Sequence, residues 1–339
     1  MGYRIKYEKM NDIIQQLSRE YRIFAPKKVG KYIRYGEVTS FDEVVYKEKS
    51  HFSPKEVVFP IIQTLLYFSS NSCEEKKLDD ERPIIIFARA CDINGIRRLD
   101  TIFMENGGFV DNFYARLREK VKFFLLECKD SFDTCFCVSM GSNQSQDYSV
   151  GFGFEEDGVH VLVKEDAFAS VFSGEEVDFT PAYVKENRKQ VQIPELVHKE
   201  LVQEVHQLPL WREFDDNCIG CGGCNTVCIT CSCFDTTDVI YNETSLDGER
   251  RRVWSSCMLK DYSTMAGGHN VRSKAGDRMR FKVMHKIYDY KNRFGKEHMC
   301  VGCGRCEMRC PKQISLSETV NKLSSEVNKL EERWVADHE

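Results

Sequence analysis

Eight cysteines stand in two runs of one spacing. Cys218, Cys221, Cys224 and Cys228 read C-x2-C-x2-C-x3-C, and Cys300, Cys303, Cys306 and Cys310 repeat it with Pro311 directly after. Thiolates are soft ligands that suit iron–sulfur chemistry, and this doubled run is the sequence pattern of two [4Fe–4S] clusters. Two-residue gaps let three thiolates wrap one cubane, while the fourth, three residues on, points to the other. The expected sets are therefore Cys218, Cys221, Cys224 with Cys310, and Cys300, Cys303, Cys306 with Cys228. Glycines at 220, 222, 223, 302 and 304 suit a chain that bends tightly around a cluster. Structural zinc is the competing reading, since it also uses paired cysteines. A zinc site takes four cysteines and has no need of two overlapping runs. Ile229 stands where the pattern would place proline, which is not a ligand.

The chain has sixteen cysteines, so eight remain. Cys231 and Cys233 follow the first run, and Cys257 lies in "WSSCM". Three thiols are one short of a four-cysteine site. An incomplete cluster site, a shield for the first clusters and ordinary buried thiols all stay open. Cys91 and Cys128 each follow an apolar run with the pattern of a buried strand, and ligands of open α/β sheets bind beyond the carboxyl ends of the strands. Cys135 and Cys137 lie in the next loop, "DSFDTCFC". These four are candidates for a third cluster, against the reading of small apolar fillers. Cys73 is solitary.

The elements that must position these thiols follow from periodicity. Met10, Ile13, Ile14 and Leu17 share one face of a helix over 8–19. "YRIFAP" reads as a short strand ended by Pro26, and Pro54 opens a helix through Tyr67. "PIIIFA" (83–88) and "VKFFLL" (121–126) are strands buried on both faces, with Ile96, Leu99, Ile102 and Phe103 helical between them. That alternation predicts a parallel α/β unit. Residues 149–163 alternate around Asp157-Gly158, a hairpin signal. A charged connector runs from about 175 to 210, with a helix from Glu195. Leu316, Val320, Leu323, Val327 and Leu330 form the stripe of a docking or core helix. The expected fold class is α+β. An α/β docking domain with a β-hairpin spans 1–205, with or without a cluster of its own. A mostly helical ferredoxin-like domain with two clusters spans 206–339.

Composition narrows the function. A formal net charge of −5 without a long basic block argues against nucleic acid. "MGYRIKYEKM" lacks the apolar run of a signal peptide and Lys6 replaces the hydroxyl of a myristoylation signal. "VVFPIIQTLLYF" (57–68) is far short of the roughly 20 residues that span a bilayer. A chain without a leader and with many cysteines belongs to a reducing compartment, which is expected to be the cytoplasm. No phosphate-binding glycine loop, nucleophile elbow or catalytic triad can be read. "GERRR" and "SKAGDRMR" read as solvated basic faces or as docking points for an acidic partner, and His269 and His285 as structural histidines. What remains is electron-carrying capacity without visible substrate machinery.

The motifs "EKSHFSP", "PIIIFARACDING", "CFCVSMGSN", "GERRRVWSSCM", "MAGGHNVR" and "EHMCVGCGRCEMRCP" resemble the A subunits of anaerobic sulfite reductases and, more distantly, the iron–sulfur beta subunits of sulfhydrogenases. The resemblance covers nearly the whole chain. It implies a three-subunit cytoplasmic enzyme that reduces sulfite to sulfide with NADH. A flavin subunit with a [2Fe–2S] centre would oxidise NADH, a sirohaem subunit would reduce sulfite, and this chain would pass electrons between them. The alternatives are service to a nickel–iron hydrogenase in a sulfhydrogenase, and a stand-alone redox sensor or scaffold.

Overall fold

The computed structural model describes residues 1–339. Twelve strands form: β1 (Gly2–Ile5), β2 (Arg22–Val29), β3 (Tyr32–Glu37), β4 (Ile62–Phe68), β5 (Cys73–Glu75), β6 (Ile84–Ala88), β7 (Val121–Leu126), β8 (Val150–Phe154), β9 (Val159–Val163), β10 (Glu175–Glu176), β11 (Phe234–Asn242) and β12 (Asp247–Trp254). The larger sheet has the order β10-β1-β9-β8-β7-β6-β2-β3. Its centre is parallel: β6 pairs with β2 and β7, and β7 with β8. All five residues of β6 are buried, as its unbroken apolar sequence requires of a strand covered on both faces. Ile85, Phe87, Phe124 and Phe152 pack with Met10, Ile14 and Leu17 of the helix Tyr7–Leu17. The helix Ala90–Met104 supplies the crossover between β6 and β7. The hairpin predicted at Asp157-Gly158 joins β8 to β9.

Two local expectations are corrected. Pro26 does not end its strand. Beyond Phe24 the pairing with β6 ends, and β2 continues against β3 alone, an edge position where a missing N–H is tolerated. The helix from Pro54 lasts only for Lys55–Val58. Pro60 cannot continue it, and Ile62–Phe68 becomes β4 in a second sheet of order β11-β12-β4-β5. That sheet is held from within by Arg252, which is 2% exposed. Its guanidinium lies over the rings of Phe59, Phe103 and Phe234 and pairs with Asp111.

The chain divides into two compact units. One comprises 1–130, 144–184 and 229–254 and holds both sheets; the other comprises 131–143, 185–228 and 255–339. The division is therefore not a single cut near residue 205. The second unit is built from helices and loops, including Val202–Gln207, Glu213–Asn217, Ala275–Met284 and Leu316–His338. The last is capped by Ser315, whose hydroxyl accepts from Glu318 N at 3.2 Å. It buries Leu316, Val320, Leu323, Val327 and Leu330 as predicted. The protein thus has mixed α and β structure with the cysteine runs in its helical unit, and no helix is long and apolar enough to cross a membrane.

Candidate iron–sulfur site

Each cysteine run is bent by a pair of glycines at matching offsets. Gly220 and Gly222 have φ of +66° and +71°; Gly302 and Gly304 have +59° and +64°. A residue with a Cβ would lose about 1–2 kcal/mol in this left-handed region, so the spacing of ligands and the choice of glycine go together. After each second glycine a short helix starts, Gly223–Thr226 and Arg305–Arg309. These helices carry the third cysteines, Cys224 and Cys306, and end just before the fourth, Cys228 and Cys310.

Cys306 and Cys310 of the second run line one cavity with Cys218, Cys221 and Cys224 of the first. The rest of that lining is mostly apolar, with Ile219, Met258, Met279 and Ile314, and Lys282 is among its few charges. Burial pushes the Cys218 thiol up, and the nearby sulfurs of Cys224 and Cys310 push it further. Cys228 instead acts on Cys300 and Cys306. Burial pushes Cys300 up to about 12, against the N–H of Gly302, with Cys228 and Cys303 adding to the rise. Loss of solvent raises Cys306 well above the ordinary thiol value. Such thiols keep their protons when alone and lose them to a metal, because cationic metal favours the thiolate. The side chains of the first set are spread around that cavity, and no three His, Cys, Asp or Glu side chains close on a point as they would around a single ion. All-thiol donors around an apolar space fit an iron–sulfur cluster.

The surroundings of the two runs differ. Cys221 is exposed, whereas Cys300 and Cys303 are buried. The second run is pressed against the loop 131–142: Phe136 N donates to Gly302 O (2.8 Å) and Ser142 Oγ to Val301 O (2.6 Å). A Cβ on Gly302 would meet the Phe136 carbonyl, and one on Gly304 the Thr134 carbonyl. Sequence reasoning missed this buttress. Its only signal was the apolar and cysteine content of "TCFC".

The remaining cysteines are distributed as follows. Cys135 and Cys137 belong to the buttressing loop. The Cys135 thiol donates to Cys303 O (3.7 Å) and Cys137 Sγ accepts from Asn187 Nδ2 (3.6 Å). Cys91, at the start of the helix Ala90–Met104, and Cys128, bridged to Tyr183 and bonded to Asp130 O, fall in the other unit. Cys257 is buried in the helical unit and accepts from Asn225 Nδ2 at 3.1 Å, which ties it to the first run's short helix. Cys231 and Cys233 fall in the sheet unit, where the Cys231 carbonyl accepts from the buried Lys55 ammonium (2.9 Å). Cys73 is exposed on β5. His285 is pushed down to about 4, chiefly by burial, and His269 supports a turn through its carbonyl.

Residues 217–314 match the family described as a 4Fe–4S dicluster domain. With the paired cysteine runs, this defines an iron–sulfur electron-transfer protein. The chain is related over nearly its full length to sulfhydrogenase 2 subunit beta of Pyrococcus furiosus, with 26% identity over 338 residues, 92% of this chain and 95% of that one. No solved structure matches the chain.

Proposed function

We propose that the eight cysteines hold two [4Fe–4S] clusters by crossed ligation, and that the chain is the relay subunit of a cytoplasmic sulfite-reducing complex. The observation that carries the ligation is the grouping of Cys310 with Cys218, Cys221 and Cys224 around one cavity. The action of Cys228 on Cys300 and Cys306 supports the second set. When bound, each cluster supplies a one-electron centre. The chain's own part is to hold the two sets side by side: Cys306 of the second also lines the cavity of the first. Apolar side chains keep water from the sulfurs, and Cys221 brings one set to the surface.

The sulfite reading rests on the quoted motifs, which resemble the A subunits of anaerobic sulfite reductases. Electrons would come from an NADH-oxidising flavin subunit with a [2Fe–2S] centre and leave to a sirohaem subunit. The relative named sulfhydrogenase 2 subunit beta favours a second reading, in which the same relay serves a hydrogenase. A tagged chain isolated anaerobically with its partners separates them. Sirohaem, flavin and sulfite-dependent NADH oxidation are expected. Nickel with hydrogen-dependent activity supports the second reading, and isolation as a lone chain supports neither.

For Cys91, Cys128, Cys135 and Cys137, packing is the reading adopted over a third cluster, because Cys135 and Cys137 lie in the loop bonded to the second run while Cys91 and Cys128 belong to the other unit. Iron analysis distinguishes the two: two cubanes give about eight iron atoms per chain and a third raises that to about twelve.

A further inference from the structure

Two lysines are buried beside the cysteine sets. Lys282 is 4% exposed and Lys286 3%. They stand four residues apart, hence on one face, where the helix Ala275–Met284 passes into a wider π-type turn, His285–Asp289. The wider turn directs its carbonyls to the second cysteine run. Lys286 O accepts from Cys300 N (3.1 Å), and Ile287 O contacts His298 Nδ1 at 2.7 Å. Such turns recur at functional sites. Here it sets Lys286 against that run, with Nζ 3.6 Å from Met299 Sδ.

The two lysines face different sulfurs. Lys282 lines the cavity of Cys218, Cys224 and Cys310, and Cys306 of the other set shares that lining. Lys286 does not line that cavity and stands instead beside Cys300, whose N–H its carbonyl accepts. A buried ammonium is costly without a counter-charge. A cubane held by four thiolates is a net anion, and its reduction adds one electron and one further negative charge. A fixed cation beside it therefore favours the reduced form, the more so in surroundings of low dielectric.

We infer that Lys282 and Lys286 set the reduction potentials of this chain's two centres: Lys282 raises both, and Lys286 raises only the one held by Cys228, Cys300, Cys303 and Cys306. The inference rests on the two-cluster reading above. It gives the relay a means of matching its two steps to each other, since one cation is shared and the other is private to the buried set.

The test is a redox titration of the anaerobically purified full chain followed by EPR, with signals assigned through Cys218→Ser and Cys300→Ser and iron measured on every sample. Lys282→Met is expected to lower both midpoint potentials, and Lys286→Met to lower only the signal that Cys300→Ser removes. Lys282→Arg and Lys286→Arg, which keep the charge, are expected to restore the parent values. These conservative variants carry the test if a methionine variant does not fold: an arginine variant that folds, loads iron and moves its potentials as far down as loss of charge predicts contradicts the inference. Fully loaded methionine variants with unmoved potentials overturn it and leave the site reading intact. A parent chain that binds no iron–sulfur cluster overturns both.

Discussion

In the first cysteine run Cys221 is exposed and Ile219 beside it is 62% exposed; at the same offsets in the second, Cys303 and Val301 are buried. The ligand spacing is identical, and so is the left-handed glycine at each bend. The difference comes from what lies outside the runs. The second has the loop 131–142 bonded to its backbone at Gly302 and Val301. The first has a lighter support: Asn225 bonded to Cys257, and the segment after Ser256 beside Gly222. A repeated motif can thus stand once exposed and once buried, with the motif itself unchanged.

The largest break in that comparison is steric. Gly304→Ala adds a Cβ against the Thr134 carbonyl on top of the left-handed strain, and both the clash and the strain fall on the buttressed run. Gly220→Ala adds the strain with only ordinary contacts nearby, Met258 O at 3.4 Å and Arg278 Nη2 at 3.7 Å. Denaturant unfolding of the anaerobic chain is expected to show a loss of about 1–2 kcal/mol for Gly220→Ala and a clearly greater loss for Gly304→Ala. Equal losses would mean that the buttress does not constrain the second run.

A second test sharpens the contrast in exposure. When the reduced chain meets air, the EPR signal assigned to Cys218, Cys221 and Cys224 should disappear before that of Cys300 and Cys303, because oxidant reaches the exposed sulfur first. Simultaneous loss, or the reverse order, contradicts an insulated second set.

The smallest effect concerns the loop thiols. Cys135→Ser/Cys137→Ser should keep the full iron content and lose about 0.5–1.5 kcal/mol of stability, the size of an altered hydrogen bond. Loss of about four iron atoms, one whole cubane, would instead revive the third-cluster reading.

How far the sequence could be read depended on how local each signal was. β6 and β7 are uniform apolar runs because both their faces are covered, and the terminal helix shows its stripe from Leu316 to Leu330. The proposed cysteine sets are read from spacing alone. β11 could not be read, because "FDTTDVIYN" is almost wholly exposed and is a strand only through its pairing with β12. Ile62–Phe68 has an apolar pattern that fits a helix as well as a strand, and its pairing with Gly248–Val253 decides the matter. The buttress of 131–142 on Gly302 joins residues about 160 positions apart, which no window of sequence displays. Lys282 and Lys286 read as ordinary polar positions of a helix. Their burial belongs to the fold: Lys282 lines the cavity of the first set, and the Lys286 carbonyl accepts from Cys300 N.

The central claim is the crossing of the fourth ligands, and Cys310→Ser tests it most directly. EPR of the reduced variant, set beside Cys218→Ser and Cys300→Ser, shows which centre Cys310 serves. The account predicts that Cys310→Ser removes or alters the signal that Cys218→Ser removes, with iron falling by about four atoms and the other signal intact. If Cys310→Ser instead affects the signal lost in Cys300→Ser and leaves that of Cys218 untouched, each run ligates its own cluster and the crossed arrangement is wrong.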